Sequence, residues 1–266
     1  MANRVVWSLV FLLIVITATR SWVTILRSTR SARTVGLLAL AAAFLAVNWG
    51  VYVYAVESDQ VVEASLGYFI NPLVTVALGV LFLRERLRPA QWTAVGIAVA
   101  AVGVLGVSYG RVPWISLVLA VSFGIYGLLK KQVGIGSVAS LTIETAVLAP
   151  LAVVVILAFA SRGESGFTTG DPMIAVLLVL LGLVTALPLL AFGGAATRMP
   201  LSTLGLLQYL TPVLQFLLGV VVFQEVMSTG RWVGFVLVWA SLVILTVDGL
   251  RHTRSRTTAL EVIEPD

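Results

Sequence analysis

Cysteine is absent from the sequence, histidine occurs once, and charge is scarce. Without cysteine there is no disulfide and no thiolate metal site. The single histidine, His252, lies near the C-terminus, so no Ser–His pair or histidine metal cluster can form in the apolar body. Only 11% of the 266 residues are charged, where a soluble domain carries roughly 25%. Such a chain cannot cover itself with a polar surface, and an integral membrane protein follows. Lysine is nearly missing too: fifteen of the 17 basic residues are arginine. A pI near 10 does not point to nucleic acid, because the basic residues sit in short connections between apolar runs. No Walker motif, metal-ligand cluster or paired-aspartate isoprenoid motif is present, so neither a cofactor nor ATP-driven pumping by this chain alone is expected. Gly106–Gly110 spells G-x-S-x-G, but at the end of an apolar run rather than on a strand-to-helix turn. No enzyme is expected.

What is present is apolar sequence. Nine runs cover roughly 5–19, 34–56, 64–83, 91–109, 113–129, 138–160, 173–196, 201–223 and 232–249. A helix needs about 20 residues to cross the hydrocarbon, and a barrel would alternate with period two. The reading is an all-α polytopic membrane protein of nine spans, with residues 251–266 as a polar cytoplasmic tail. If successive spans reverse direction, thirteen of the 17 basic residues fall on one side. That side holds Arg20, Arg27, Arg30, Arg33, Arg84, Arg86 and Arg88, and it is the cytoplasmic one. The C-terminus is then inside and Met1 outside, in a bacterial plasma (inner) membrane.

Two stretches repeat. At an offset of 140, seven of the 31 positions from Val62 to Trp92 are identical, including Pro72/Pro212, Gly79/Gly219, Glu85/Glu225 and Trp92/Trp232. The second to fourth runs repeat as the seventh to ninth, and the first as the sixth. A five-helix unit is complete in residues 111–250, whereas residues 1–110 lack its opening helix. Five being odd, tandem units insert in opposite senses. The expectation is a native start upstream of Met1. A rival reading takes the first twenty residues as a cleaved signal peptide. Inverted repeats mark many secondary transporters, with the solute bound between them near the midplane.

The polar residues inside the paired runs cluster beside the prolines. Pro72 and Pro212 lack an N–H and free the carbonyls of Tyr68 and Gln208. In lipid those carbonyls need protein or a water-lined cavity, so both prolines are candidate helix bends and gates. Tyr68, Asn71, Gln208 and Tyr209 are candidate solute-binding residues, joined by Asn48 in the second run. The plain alternative is that these amides bond neighbouring helices. Glu144, two turns into the sixth run, is the most informative ionisable residue, since a mid-bilayer charge costs about 2.5–3.5 kcal/mol. It is a candidate for the cavity or for carrying a coupling proton; the alternative is that it reaches the cytoplasmic interface. Tyr126, one turn from Lys130, is expected at the inner interface.

The spacing of glycine, acid, tryptophan and glycine in "GVLFLRERLRPAQWTAVG" and "GVVVFQEVMSTGRWVG" resembles the EamA unit of the drug/metabolite transporter superfamily. "NWGVYVYAV", "EASLGYFINPL", "FGIYGLLKK" and "RMPLSTLGLLQYLTP" resemble the RarD-like permeases. The resemblance implies ten spans, a central cavity, and movement of a small metabolite or drug-like solute without ATP. The partners it implies are that solute and the lipid bilayer, with a proton or other ion as a coupling candidate. The rival class is a non-transporting assembly subunit or a lipid-handling protein.

Overall fold

The computed structural model describes residues 1–107, 112–163 and 172–217, and in the last run positions 232–233, 236–237, 239–241, 243–244 and 246–248. Among the described residues all regular structure is helical. The helices are α1 (Ala2–Ala18), α2 (Trp22–Thr29), α3 (Ala32–Glu57), α4 (Val61–Leu83), α5 (Pro89–Val107), α6 (Trp114–Val133), α7 (Ser137–Ser161), α8 (Pro172–Arg198), α9 (Leu201–Leu207) and α10 (Leu210–Leu217). Five are long and apolar enough to cross a membrane, and six if α1 and α2 count as one bent span. Glu225, Gly219 and the 251–266 tail lie outside the described residues, as does the end of the Gly106–Gly110 stretch.

Two compact units make up the chain, each drawing on sequence from before and after residue 111. One comprises Met1–Val53 with Ile125–Met199, the other Tyr54–Gly124 with Pro200–Asp266. In the first, α1 packs against α7 and α8. Its buried residues Val5, Ser8, Leu12 and Ile16 recur at three- and four-residue spacing, which places them on one face. The opposite face is just as apolar: Val10 and Ile14 are exposed. The same holds for α8, where Leu177, Leu180, Val184 and Leu187 are exposed while Gly182, Ala186, Gly193 and Ala196 are buried. Small residues turned inward and large apolar ones turned outward are the pattern of helices packed within lipid. The Ser8 hydroxyl donates to the Gly182 carbonyl at 3.0 Å, a contact possible only because α1 lies directly over a residue without a Cβ.

In the second unit α4 packs against α5, α9 and α10. Phe69, Val76, Ala98, Ala101, Leu206 and Tyr209 form its buried apolar cluster. The helical positions after residue 232 join it through the Ser241 hydroxyl, which donates to the Ala94 carbonyl at 3.0 Å. A 2.7 Å ion pair between Arg88 and Asp248 adds to it.

Two local features differ from the sequence reading. The 20–33 connection contains α2, because its apolar residues fall at helical spacing. The 201–223 run is not one helix: it breaks at Gln208–Tyr209 between α9 and α10. Pro212 is the cause. It has no N–H for the Gln208 carbonyl, which instead accepts from the Thr211 N–H at 3.0 Å in a tighter turn. Pro72, by contrast, lies buried within an uninterrupted α4.

A Cβ at Gly182 would collide with the backbone of Trp7 and Ser8, whereas one at Gly36 meets nothing. Gly182→Leu is therefore expected to destabilise the protein by about 1–3 kcal/mol through overpacking, and Gly36→Ala to leave it unchanged. Thermal unfolding in detergent compares them, and equal melting temperatures would refute the α1–α8 contact.

Candidate functional site

The amides singled out beside the prolines meet inside the second unit. α9 reaches α4 at a glycine: a Cβ on Gly205 would lie 2.9 Å from the Pro72 carbonyl oxygen and 3.0 Å from the Thr75 Cβ. This close approach carries Gln208, at the end of α9, to Asn71, one residue before Pro72. The Asn71 Nδ2 donates to the Gln208 Oε1. That bond uses one end of each amide. Asn71 Oδ1 and Gln208 Nε2 remain buried with no hydrogen-bond partner, as does Thr75 Oγ1. Tyr68, Asn71 and Thr75 follow one another at three- and four-residue spacing on α4, so a half-buried tyrosine, an amide and a hydroxyl form one stripe. Tyr209 turns elsewhere. It is wholly buried in the apolar cluster with Phe69 and Val76, and its hydroxyl has no partner. Pro212 lies in α10, and its side chain is outside the described residues.

Two acids of this unit, Glu85 and Glu63, hold helix ends. Glu85 accepts from the backbone N–H groups of Leu201 and Ser202, each at 2.7 Å. These are the first free donors of α9, which follow Pro200 and have no partner within the helix. Arg84, in the left-handed conformation with φ 54°, ends α4, and the Glu85 N–H returns to the Gly79 carbonyl. A Cβ at Gly79 would stand 2.8 Å from the Glu85 carboxylate. The paired Gly79 and Glu85 thus have a physical reason: the glycine makes room for the carboxylate that holds the next helix. Glu63, wholly buried, does the same for α6, accepting from the Ile115 N–H at 2.8 Å. The Ser116 hydroxyl donates to the Glu63 carbonyl.

In the first unit Glu144 is buried and paired. It forms a 2.7 Å ion pair with Lys130, both side chains 1% exposed. Lys130 also donates to the Ser140 hydroxyl, which donates in turn to Glu144 at 2.8 Å. The Tyr126 hydroxyl donates to the second carboxylate oxygen at 3.2 Å. Tyr126 is fully enclosed by protein, its ring stacked on Phe192 at 5.9 Å. The pair ties α6 to α7, and Gly193 of α8 packs against the lysine stem. Lys130 escaped the sequence reading as a partner because it sits near the end of a run, where a lysine reads as interfacial. The signal available was Ser140 one turn before Glu144. Asn48 is half-buried in α3 beside Trp49, over whose ring the Arg4 guanidinium lies at 5.1 Å.

The chain is similar to known proteins in sequence and in fold. A sequence model described as the EamA-like transporter family matches residues 1–109. Protein RarD of Streptomyces exfoliatus is 54% identical over 265 residues, covering 100% of this chain and 84% of that protein. A protein of Vibrio cholerae named an uncharacterized transporter is 41% identical over 251 residues, covering 94% of this chain and 83% of its own. A solved crystal structure superposes with a TM-score of 0.67 at 19% identity, covering 92% of this chain and 86% of that one. At that identity it bears on the fold alone.

Removing one member of a buried pair leaves an uncompensated charge, at a cost of about 3–5 kcal/mol, while replacing both with apolar groups is often neutral. Lys130→Met and Glu144→Leu should each lower the melting temperature markedly, and the double variant should recover most of the loss. A fully stable Glu144→Leu protein would show that the pair does not lock these helices.

Proposed function

Because this chain belongs to the EamA-like transporter family, alongside the RarD proteins, we propose that it moves a small, neutral, partly apolar solute across the bacterial inner membrane. It is a multi-pass membrane protein of transporter type. In our reading two inverted repeats, residues 1–110 and 111–250, exchange outward and inward access, and the 251–266 tail is cytoplasmic. The repeat at offset 140 and the arginine asymmetry of the connections support this. The solute site is the stripe Tyr68–Asn71–Thr75 with Gln208.

The observation that carries the proposal is the amide pair. Two half-buried side-chain amides bonded to each other still hold one buried acceptor and one buried donor without a partner. Rotating both amides exchanges which end is bonded and leaves the same inventory. Buried polar groups without partners are costly, and a solute carrying an adjacent donor and acceptor would satisfy both. Among the described acids outside the 57–60 connection, Glu63 and Glu85 hold helix ends, Glu144 pairs with Lys130 and Asp248 with Arg88, so none is left to accompany the amides. A multiply charged solute would have no counter-charge there. Asn48 and Glu144 belong to the other unit, and the proposal routes no solute through them.

Asn71→Leu with Gln208→Leu is expected to abolish uptake in proteoliposomes offered neutral amide-bearing solutes, carboxylates and quaternary amines in parallel. The melting temperature should barely move, since a helix–helix hydrogen bond in a membrane averages about 0.6 kcal/mol. Undiminished uptake by the double variant would reduce the pair to a helix contact. For orientation, cysteines placed at Ser28 and Ser58 in this cysteine-free chain should be labelled from the inside and the outside respectively. Labelling of both from one face would overturn the topology.

A further inference from the structure

The connection between α1 and α3 has a face that the transport reading does not use. After Ala18 the chain turns through Arg20, left-handed with φ 51°, and α2 departs at 116° to α1. With α1 crossing the bilayer, α2 therefore runs closer to the membrane plane than to its normal. One buried side chain holds it down: Ile25 joins Ile16, Leu38, Ala139 and Ile143. At 100° per residue Val23 stands opposite Ile25, with Leu26 and Trp22 on the flank between them; Trp22, Val23 and Leu26 are 43, 57 and 61% exposed. Arg27 and Arg30 fall on the same outward side, one on each side of Val23. Arg20 and Arg33 flank the helix, and all four arginines are exposed. No acidic residue precedes Glu57 in the sequence, and none of the four has an ionic partner among the described residues.

We infer that α2 is an in-plane amphipathic helix that docks on anionic phospholipid headgroups at the surface of the bilayer. Tryptophan beside aliphatic side chains suits the boundary between headgroups and acyl chains. The arginines reach phosphates at the same depth while their stems stay in apolar surroundings. A second copy of the same patch would bring unpaired arginines against arginines, so charge complementarity selects anionic lipid over self-association. Each basic residue near such a surface contributes about 1 kcal/mol, so losing two should weaken retention of anionic lipid by roughly an order of magnitude or more.

The test places a spin label on Val23→Cys in the full chain, in vesicles of phosphatidylcholine with or without phosphatidylglycerol. Val23 is exposed, so the label does not disturb packing. The label should be accessible to oxygen and shielded from a water-soluble nickel reagent, and it should sit deeper when phosphatidylglycerol is present. Arg27→Gln with Arg30→Gln should remove that dependence, and native mass spectrometry should show roughly tenfold less phosphatidylglycerol retained. The inference is overturned by a label open to the nickel reagent in phosphatidylglycerol vesicles, by dipolar broadening from a second copy, or by undiminished lipid retention in the double variant.

Discussion

Everything in this molecule answers to one constraint: inside a bilayer no water is available to pair a stray N–H or C=O. Helices satisfy their interiors, so the difficulty concentrates at their ends and breaks. The chain solves it with carboxylates. Glu85 holds the first donors of α9, and Glu63 those of α6. A negative group at a helix N-terminus also meets the positive end of the helix dipole. The Pro212 break is repaired by the Thr211 N–H on the Gln208 carbonyl. Hydroxyls at Thr142, Thr145 and Thr185 return to carbonyls four residues earlier, so they too add no unpaired groups.

The second consequence is close packing by small residues. Lipid tails are as apolar as leucine, so burial of apolar surface gives helices little reason to associate, and contact geometry decides. Gly182 admits the backbone of α1, Gly205 admits the Pro72 turn, and Gly79 admits a carboxylate. The large residues are turned outward instead, as on α8. Such a chain is inside-out by the standards of a soluble core, and its low charge reflects that arrangement.

Much of this was legible in the sequence. Run length and the shortage of charge indicate membrane helices, and the paired Gly79 and Glu85 stand out by their repetition before any contact is visible. Asn71 and Gln208 were also legible, since an amide beside a proline in an apolar run is a local conflict. What could not be read was rotation about the helix axis. Gln208 turns to Asn71 while its neighbour Tyr209 turns into the apolar cluster, and only packing at Gly205 decides which does which. Lys130 was misleading for a related reason, and the partner of Glu63 was as hard to see. Near the end of a run, charge reads as interfacial, and nothing in a linear pattern reveals a partner fourteen or fifty-two residues away. The helix α2 was hidden by its arginines, which make a short helix look like a loop.

The same constraint gives the Asn71–Gln208 pair its meaning. In a loosely satisfied protein a few unpaired polar atoms would carry little information. Here the described acids outside the 57–60 connection are each committed to a helix end or to a basic partner, and the proline-freed carbonyl of Gln208 has found a donor. Against that background an acceptor on Asn71, a donor on Gln208 and a hydroxyl on Thr75 stand together without partners. They lie where a proline and a glycine have already weakened or narrowed the helix contact. A pair meant only to join α4 to α9 would gain nothing from the surplus groups, and a leucine contact would serve as well. A pair that must release one partner and accept another needs surplus groups, neutral ones above all, because a neutral group can be left exposed or covered in turn without the desolvation cost a charge would incur.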